Sequence, residues 1–241
     1  MKTTAKLVAI AIVLTFTSCI NAQFGKRIRG NGDVITKTRN VSDYDKISVG
    51  GPFDVKLIPG KEGKITIKGE SNLLDYIITE VDGDKLRIKW EKGLSIRNSK
   101  KILITVPFKD LNAVSLAGSG DVFSEEVIHA EIFKSSLTGS GDIKLAVKAQ
   151  EIISKISGSG NINIEGRANE YSCSITGSGD IRAYELSTKN ANVKITGSGT
   201  VKIDVSDNLK VRITGSGDVY YKGTPKSQDV KVTGSGNVSS R

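Results

Sequence analysis

The tripeptide Gly-Ser-Gly recurs seven times between Gly118 and Gly236, and this recurrence restricts the possible folds more than any other feature. The first glycines are Gly118, Gly139, Gly158, Gly177, Gly197, Gly215 and Gly234, giving steps of 21, 19, 19, 20, 18 and 19 residues. The second glycines are Gly120, Gly141, Gly160, Gly179, Gly199, Gly217 and Gly236. A period of this length marks one small unit per repeat, which buries its apolar face only by stacking on its neighbours.

Other positions keep the same register. Two residues before each triplet stand Leu116, Leu137, Ile156, Ile175, Ile195, Ile213 and Val232. Four after its first glycine stand Val122, Ile143, Ile162, Ile181, Val201, Val219 and Val238. Two half-buried strands therefore meet at every triplet, and glycine is expected there because the turn needs positive φ or close backbone approach. An antiparallel sandwich of hairpins is one assembly of such strands. The steady step favours the other, an all-β, single-stranded, right-handed parallel β-helix or solenoid, with identical positions stacked about 4.8 Å apart. Each coil is then strand, corner, strand and a looser, variable return where specificity can reside.

The chain before the repeats alternates with period two at Ile47 and Val49, at Phe53, Val55 and Leu57, and at Ile65 and Ile67. The pattern resumes at Ile77 and Val81, at Leu86, Ile88 and Trp90, and at Ile102, Ile104 and Val106. Gly83 suits a hairpin turn, Ser71 to Tyr76 suits one helical turn, and Pro107 is expected to end its strand. Residues 41–110 thus form an N-terminal β portion, 111–241 the repeat solenoid and 23–40 a linker or first strand. Gly30-Asn31-Gly32-Asp33 after a basic patch is too sparse for a phosphate grip. The last triplet leaves only five residues after Gly236, so a homo-oligomer or a return of the N-terminal part is expected to cover that end.

Residues 1–22 read as an export leader: Lys2 and Lys6 precede the apolar run Leu7 to Leu14, too short to span a bilayer comfortably. Two processing modes stay open. Phe16-Thr17-Ser18-Cys19 matches a lipoprotein box, with Phe16 in the usual Leu position, making Cys19 a lipidation site and membrane tether. Cleavage after Ala22 is the alternative. Either way Cys173 is left alone, so no intramolecular disulfide forms.

Chemistry is sparsely provided. His129 is the only histidine, which excludes a histidine-rich zinc site and leaves any serine triad dependent on it. Cys173 occupies an inward aliphatic position and reads as a buried thiol. The residue after each triplet forms a row of Asp121, Asp142, Asn161, Asp180, Thr200, Asp218 and Asn237. This row lacks a dense calcium-ligand set, so its side chains are expected to bond turn backbone. Asp142 and Asp180, two coils and roughly 10 Å apart, sit too far apart for a retaining glycosidase pair. No catalytic residue, cofactor or metal site is expected. A net charge of +9 falls to +7 without Lys2 and Lys6, and the charges alternate in sign. A solvated surface is the ordinary reading; attraction to an acidic polysaccharide, nucleic acid or membrane is the sharper one, with no specific nucleic-acid partner expected. Aromatics at 5% argue against an aromatic-lined cleft, and Trp90 reads as a packing residue rather than a sugar platform.

With the leader, the opening segment Ile47-Ser-Val-Gly-Gly-Pro-Phe-Asp-Val55 and the repeated Gly-Ser-Gly-Asp/Asn, the chain resembles the autotransporter-adhesin head, or GIN-domain, family of Bacteroidetes-type envelope proteins. The resemblance spans Val41 to Val238. It implies a β-helical fold shaped like the pectate-lyase solenoids, without established catalytic residues. No membrane-barrel segment follows Arg241 in the sequence, so autotransport is not expected. The implied function is non-enzymatic: an exported protein, at the outer membrane, cell surface, periplasm or secreted, that binds a cell-surface glycan or envelope protein. A periplasmic scaffold or envelope-stress component is the alternative.

Overall fold

The computed structural model describes residues 26–241. The leader, Cys19 and the cleavage position after Ala22 lie outside the described residues. Period-two sequence produces strands throughout: β1 (Lys26–Arg29), β2 (Val34–Asn40), β3 (Lys46–Gly50), β4 (Phe53–Pro59), β5 (Lys64–Glu70), β6 (Ile77–Asp82), β7 (Lys85–Trp90), β8 (Leu94–Arg97) and β9 (Ile102–Phe108). The repeats supply β10 (Ala113–Gly118), β11 (Asp121–His129), β12 (Ile132–Gly139), β13 (Asp142–Gly158), β14 (Asn161–Gly177) and β15 (Asp180–Gly197). They continue with β16 (Thr200–Gly215), β17 (Asp218–Lys222), β18 (Ser227–Gly234) and β19 (Asn237–Ser240). A single 3-10 turn, Leu74–Tyr76, stands where one helical turn was expected.

The strands stack in parallel as a β-solenoid, not as a sandwich of hairpins. Row A, leading into the corners, runs β7, β3, β10, β12, then the second halves of β13 to β16, then β18. Row B, leaving the corners, runs β9, β4, β11, the first halves of β13 to β16, β17 and β19. Register is residue for residue across the corners, as in Leu116 with Leu137 and Ile162 with Ile181. The inward aliphatic rows bury nearly completely from Tyr44 to Val219 and join one cluster, while in the last coil Val232 and Val238 are only partly buried and Val230 is exposed. Each such side chain contributes about 1.5–3 kcal/mol on leaving water.

The stacking order departs from the sequence order at one place. The coil of β3 and β4 is inserted between the later coil of β7 and β9 and the first repeat coil of β10 and β11. Beyond β7 and β9 the sheet turns antiparallel, with β6 on β7, β5 on β9 and β2 on β5. The N-terminal strands therefore cover the end opposite to β18 and β19, correcting the expected return over the last coil. Among the described residues β18 and β19 are each paired with a strand on one side only. Pro107 also departs from expectation: β9 continues through it to Phe108. β4 runs beside β9 through Ile58–Pro107 and Pro59–Phe108, while β5 pairs only with Leu103 to Thr105, so Pro107 sits where β9 has a partner on one side only. Its carbonyl accepts the Tyr44 hydroxyl.

Candidate functional site

The triplet is a corner forced on both of its glycines. In every repeat the first glycine has positive φ, from 120° at Gly139 to 150° at Gly118. A Cβ on the second glycine would strike the previous coil: at Gly160 it would lie 2.0 Å from the Gly141 carbonyl and 2.7 Å from Leu137 Cδ2. The intervening serines, from Ser119 to Ser235, are exposed.

The Asp/Asn row beside the corner bonds between coils rather than within its own turn. Asp121 Oδ1 accepts the Asp142 N–H at 3.2 Å, and Asp142 Oδ1 accepts the Asn161 N–H at 3.0 Å. Asp180 and Asp218 accept the N–H groups of Thr200 and Asn237 at 3.1 and 3.0 Å. The carboxylates thus cap the next coil's first backbone donor. Among the described residues no cluster of three or more His, Cys, Asp or Glu could hold a metal ion.

The chemically reactive side chains do not converge. His129 is exposed at the end of β11. Cys173 is buried beside Tyr171, and burial pushes its thiol up to about 12, which keeps it protonated and inert. Ser135 and Ser154, at the same inward position two coils and one coil earlier, share a buried hydrogen bond of 2.9 Å. Trp90 packs on Phe53 with centroids 4.8 Å apart.

Sequence reasoning missed Glu70. Its fully buried carboxylate accepts the Gly32 N–H at 2.8 Å, the Ser99 N–H at 2.8 Å, the Ser99 hydroxyl at 2.7 Å and the Lys100 N–H at 3.2 Å. Burial raises the carboxyl pKa, but these four donors, led by the Ser99 hydroxyl, outweigh it and hold the group at about 2. Gly30 must be glycine because a Cβ there would overlap this carboxylate. The Gly30–Asp33 loop does hold an anion, and that anion belongs to the chain itself. A lone Glu at a strand end gives no pattern from which this could be read.

The outward faces remain, and they differ in charge. On row A of the seven repeat coils, the outward positions one, three and five residues before the triplet carry Lys134, Lys155, Lys194, Lys210, Arg212 and Lys231 against a single acid, Asp229. Row B instead alternates Asp121, Asp142, Asp180 and Asp218 with Lys144, Arg182 and Lys202. A bulge at Ala183 to Leu186 breaks the row B register. Beside it Tyr184 lines a depression of about 340 Å³ together with Lys144, Asn163, Glu165 and Arg182. The Tyr184 hydroxyl is buried there without a hydrogen-bond partner. On the far side Lys222 lies over its ring at 5.9 Å and pairs with Glu185 at 3.6 Å.

The family model described as "Putative auto-transporter adhesin, head GIN domain" matches residues 43–225. Solved structures share the fold. A putative adhesin from Bacteroides fragilis NCTC 9343 superposes with a TM-score of 0.85 at 24% identity, covering 89% of this chain and 100% of that one. A putative lipid binding protein from Parabacteroides distasonis ATCC 8503 superposes with a TM-score of 0.76 at 25% identity, covering 90% and 100%. A putative adhesin from the same organism gives 0.73 at 26% identity, with coverage of 90% and 100%. No curated protein matches the chain.

Proposed function

Because the chain belongs to the auto-transporter adhesin head, GIN-domain family, we propose that it is an exported, non-enzymatic adhesive solenoid that binds a cell-surface glycan or envelope protein along its outer faces. One observation carries this reading: the positions two residues before and four residues after each first glycine stay aliphatic, while the outward row A positions three and five residues before the triplet change from coil to coil across the parallel sheet. Three residues before successive triplets stand Ser115, Ser136, Lys155, Ser174, Lys194, Arg212 and Lys231. A fixed frame with varied display is the layout of a recognition surface. The names of the structural neighbours, adhesin and lipid-binding protein, point to binding as well.

The site of action is the cell surface, with Cys19 as the lipid tether. Protease added to intact cells should cleave the chain, and full resistance would remove the surface reading. Fatty-acid labelling should be present in the native chain and absent in Cys19→Ser; label that does not depend on Cys19 would remove the tether. The periplasmic scaffold is the second reading, favoured by the one-sided pairing of β18 and β19, which leaves strand edges on which an envelope partner can add. It predicts protease resistance in intact cells and sensitivity once the outer membrane is opened.

A further inference from the structure

Row A concentrates cations where the fold gives them no reason to be. Lys194, Arg212 and Lys231 are consecutive register partners in β15, β16 and β18, so three like charges stack at strand spacing, about 4.8 Å. Lys210 lies beside them, two residues before Arg212, and Lys155 continues the line two coils away across Ser174. Like charges directly opposite destabilise a sheet. The same outward positions carry serine in Ser115, Ser136 and Ser174, so the frame does not require lysine there.

Compensation from acids on this face is slight. Asp229 is taken by Arg212, whose guanidinium holds that carboxyl below its usual range and also reaches the Asp229 carbonyl. Glu151 and Glu170 are register partners at the far margin of the face, and Glu170 accepts from Asn190. Lys155, Lys194, Lys210 and Lys231 are exposed and make no ion pair among the described residues. Alongside the cations runs an exposed hydroxyl ladder of Thr176, Thr196, Thr214 and Thr233, one step closer to the corner.

We propose that this strip, Lys155, Lys194, Lys210, Arg212 and Lys231 with its threonine ladder, binds a linear anionic polysaccharide lying along the solenoid axis. The proposal rests on the adhesive reading above and names the ligand class. The ammonium groups face the carboxylates or sulfates of the chain, and the threonine hydroxyls reach its sugar hydroxyls. The strip has no row of exposed aromatic rings on which bases could stack, and its apolar residues, Ala113, Ala117 and Ile153 with the exposed Val230 at the open end, are scattered rather than joined in the insertion face that a bilayer needs.

The test measures binding of the full chain to polygalacturonate, neutral dextran, phosphatidylglycerol vesicles, single-stranded poly(dT) and native envelope fragments across a salt series. The native chain should bind polygalacturonate, with affinity falling as salt rises, and should not bind dextran. Lys194→Ser/Lys210→Ser/Lys231→Ser should weaken binding by about tenfold to a hundredfold. Lys148→Ser/Lys189→Ser/Lys202→Ser, which removes the same charge elsewhere, should not. Equal weakening in both variants overturns the strip as the site. Tighter binding to vesicles or poly(dT) overturns the ligand class. Dextran bound as well as polygalacturonate, or capture only of native envelope fragments at high salt, overturns the anionic ligand and leaves the adhesive reading standing. Capture of none of these removes both.

Discussion

The repeat coils and the N-terminal end are built on the same two rows of strands, yet they are held together by different means. In the repeats each coil is fixed by a copy of itself, so Gly158 lies on Gly139, Ile175 on Ile156 and Asn161 on Asp142. At the N-terminal end no residue has a copy to lie on. There the sheet turns antiparallel, and single polar groups fasten segments distant in sequence. Glu70 joins residues 30–33 to 97–100, Arg39 holds the carbonyls of Leu74 and Ile77, and Glu62 bonds the N–H groups of Tyr44 and Lys109. Repetition shares the load over many equivalent contacts, whereas a cap depends on a few irreplaceable ones.

This contrast is best broken at its glycines. Gly158→Ala puts a Cβ 2.3 Å from the Gly139 carbonyl at φ 132°, where strain and overpacking add. A loss of about 3–5 kcal/mol is expected in urea unfolding. Gly83→Ala, in a hairpin turn with open space around it, should lose only about 1–2 kcal/mol from its positive φ. Equal losses would mean that contact between coils does not set the corner. In the core, Ile175→Ala should cost about 2–5 kcal/mol.

The cap is tested at Glu70. Glu70→Gln leaves buried N–H donors poorly matched and should cost about 1–3 kcal/mol. The folded-state pKa near 2 lies below the ordinary 4.5, so the carboxylate's contribution is complete above pH 4.5 and disappears as pH falls towards 2. The native chain should therefore lose stability through that window, with faster amide exchange at Gly32 and Ser99. The Gln variant should show a flatter profile, and identical profiles would refute the clasp. A smaller effect belongs to the carboxylate ladder: Asp142→Ala removes the acceptor of the Asn161 N–H and Nδ2, leaves that N–H only the longer bond to the Gly141 carbonyl, and should cost about 0.5–1.5 kcal/mol by the same unfolding assay. Cys173 should resist thiol reagents in the folded chain and react on unfolding, and rapid native labelling would contradict its burial.

The repeat made the solenoid legible because its reasons are local and periodic. Aliphatic residues at Leu116, Leu137 and their successors mark the inward rows, and Gly-Ser-Gly marks the corner. The role of the Asp row was only half visible. Asp after a turn looks the same whether it bonds its own turn or the N–H one coil on, and only the register decides between them. The inserted coil of β3 and β4 left no trace, since alternation at Ile47 and Ile88 says nothing about which strand each will neighbour. Pro107 was misread because a proline is tolerated where its strand has a neighbour on one side only, and β5 has already ended there while β4 continues. The charge difference between the outward faces was written in the sequence but hidden in the overall alternation of signs. It separates only when the residues are sorted by row.

The one departure from sequential stacking bears on how the chain reaches its fold. In chain order β2 to β9 all precede the first triplet. Within that stretch the coil of β3 and β4 already has β7 and β9 on one side, and its other side stays open to receive β10 and β11. The topology therefore lets the cap serve as a seed, since each later coil pairs with a template about one repeat away in sequence. Growth in that manner replaces a search over distant pairings with a series of short closures. Coils could then be gained or lost beyond β11 without altering the seed that starts them.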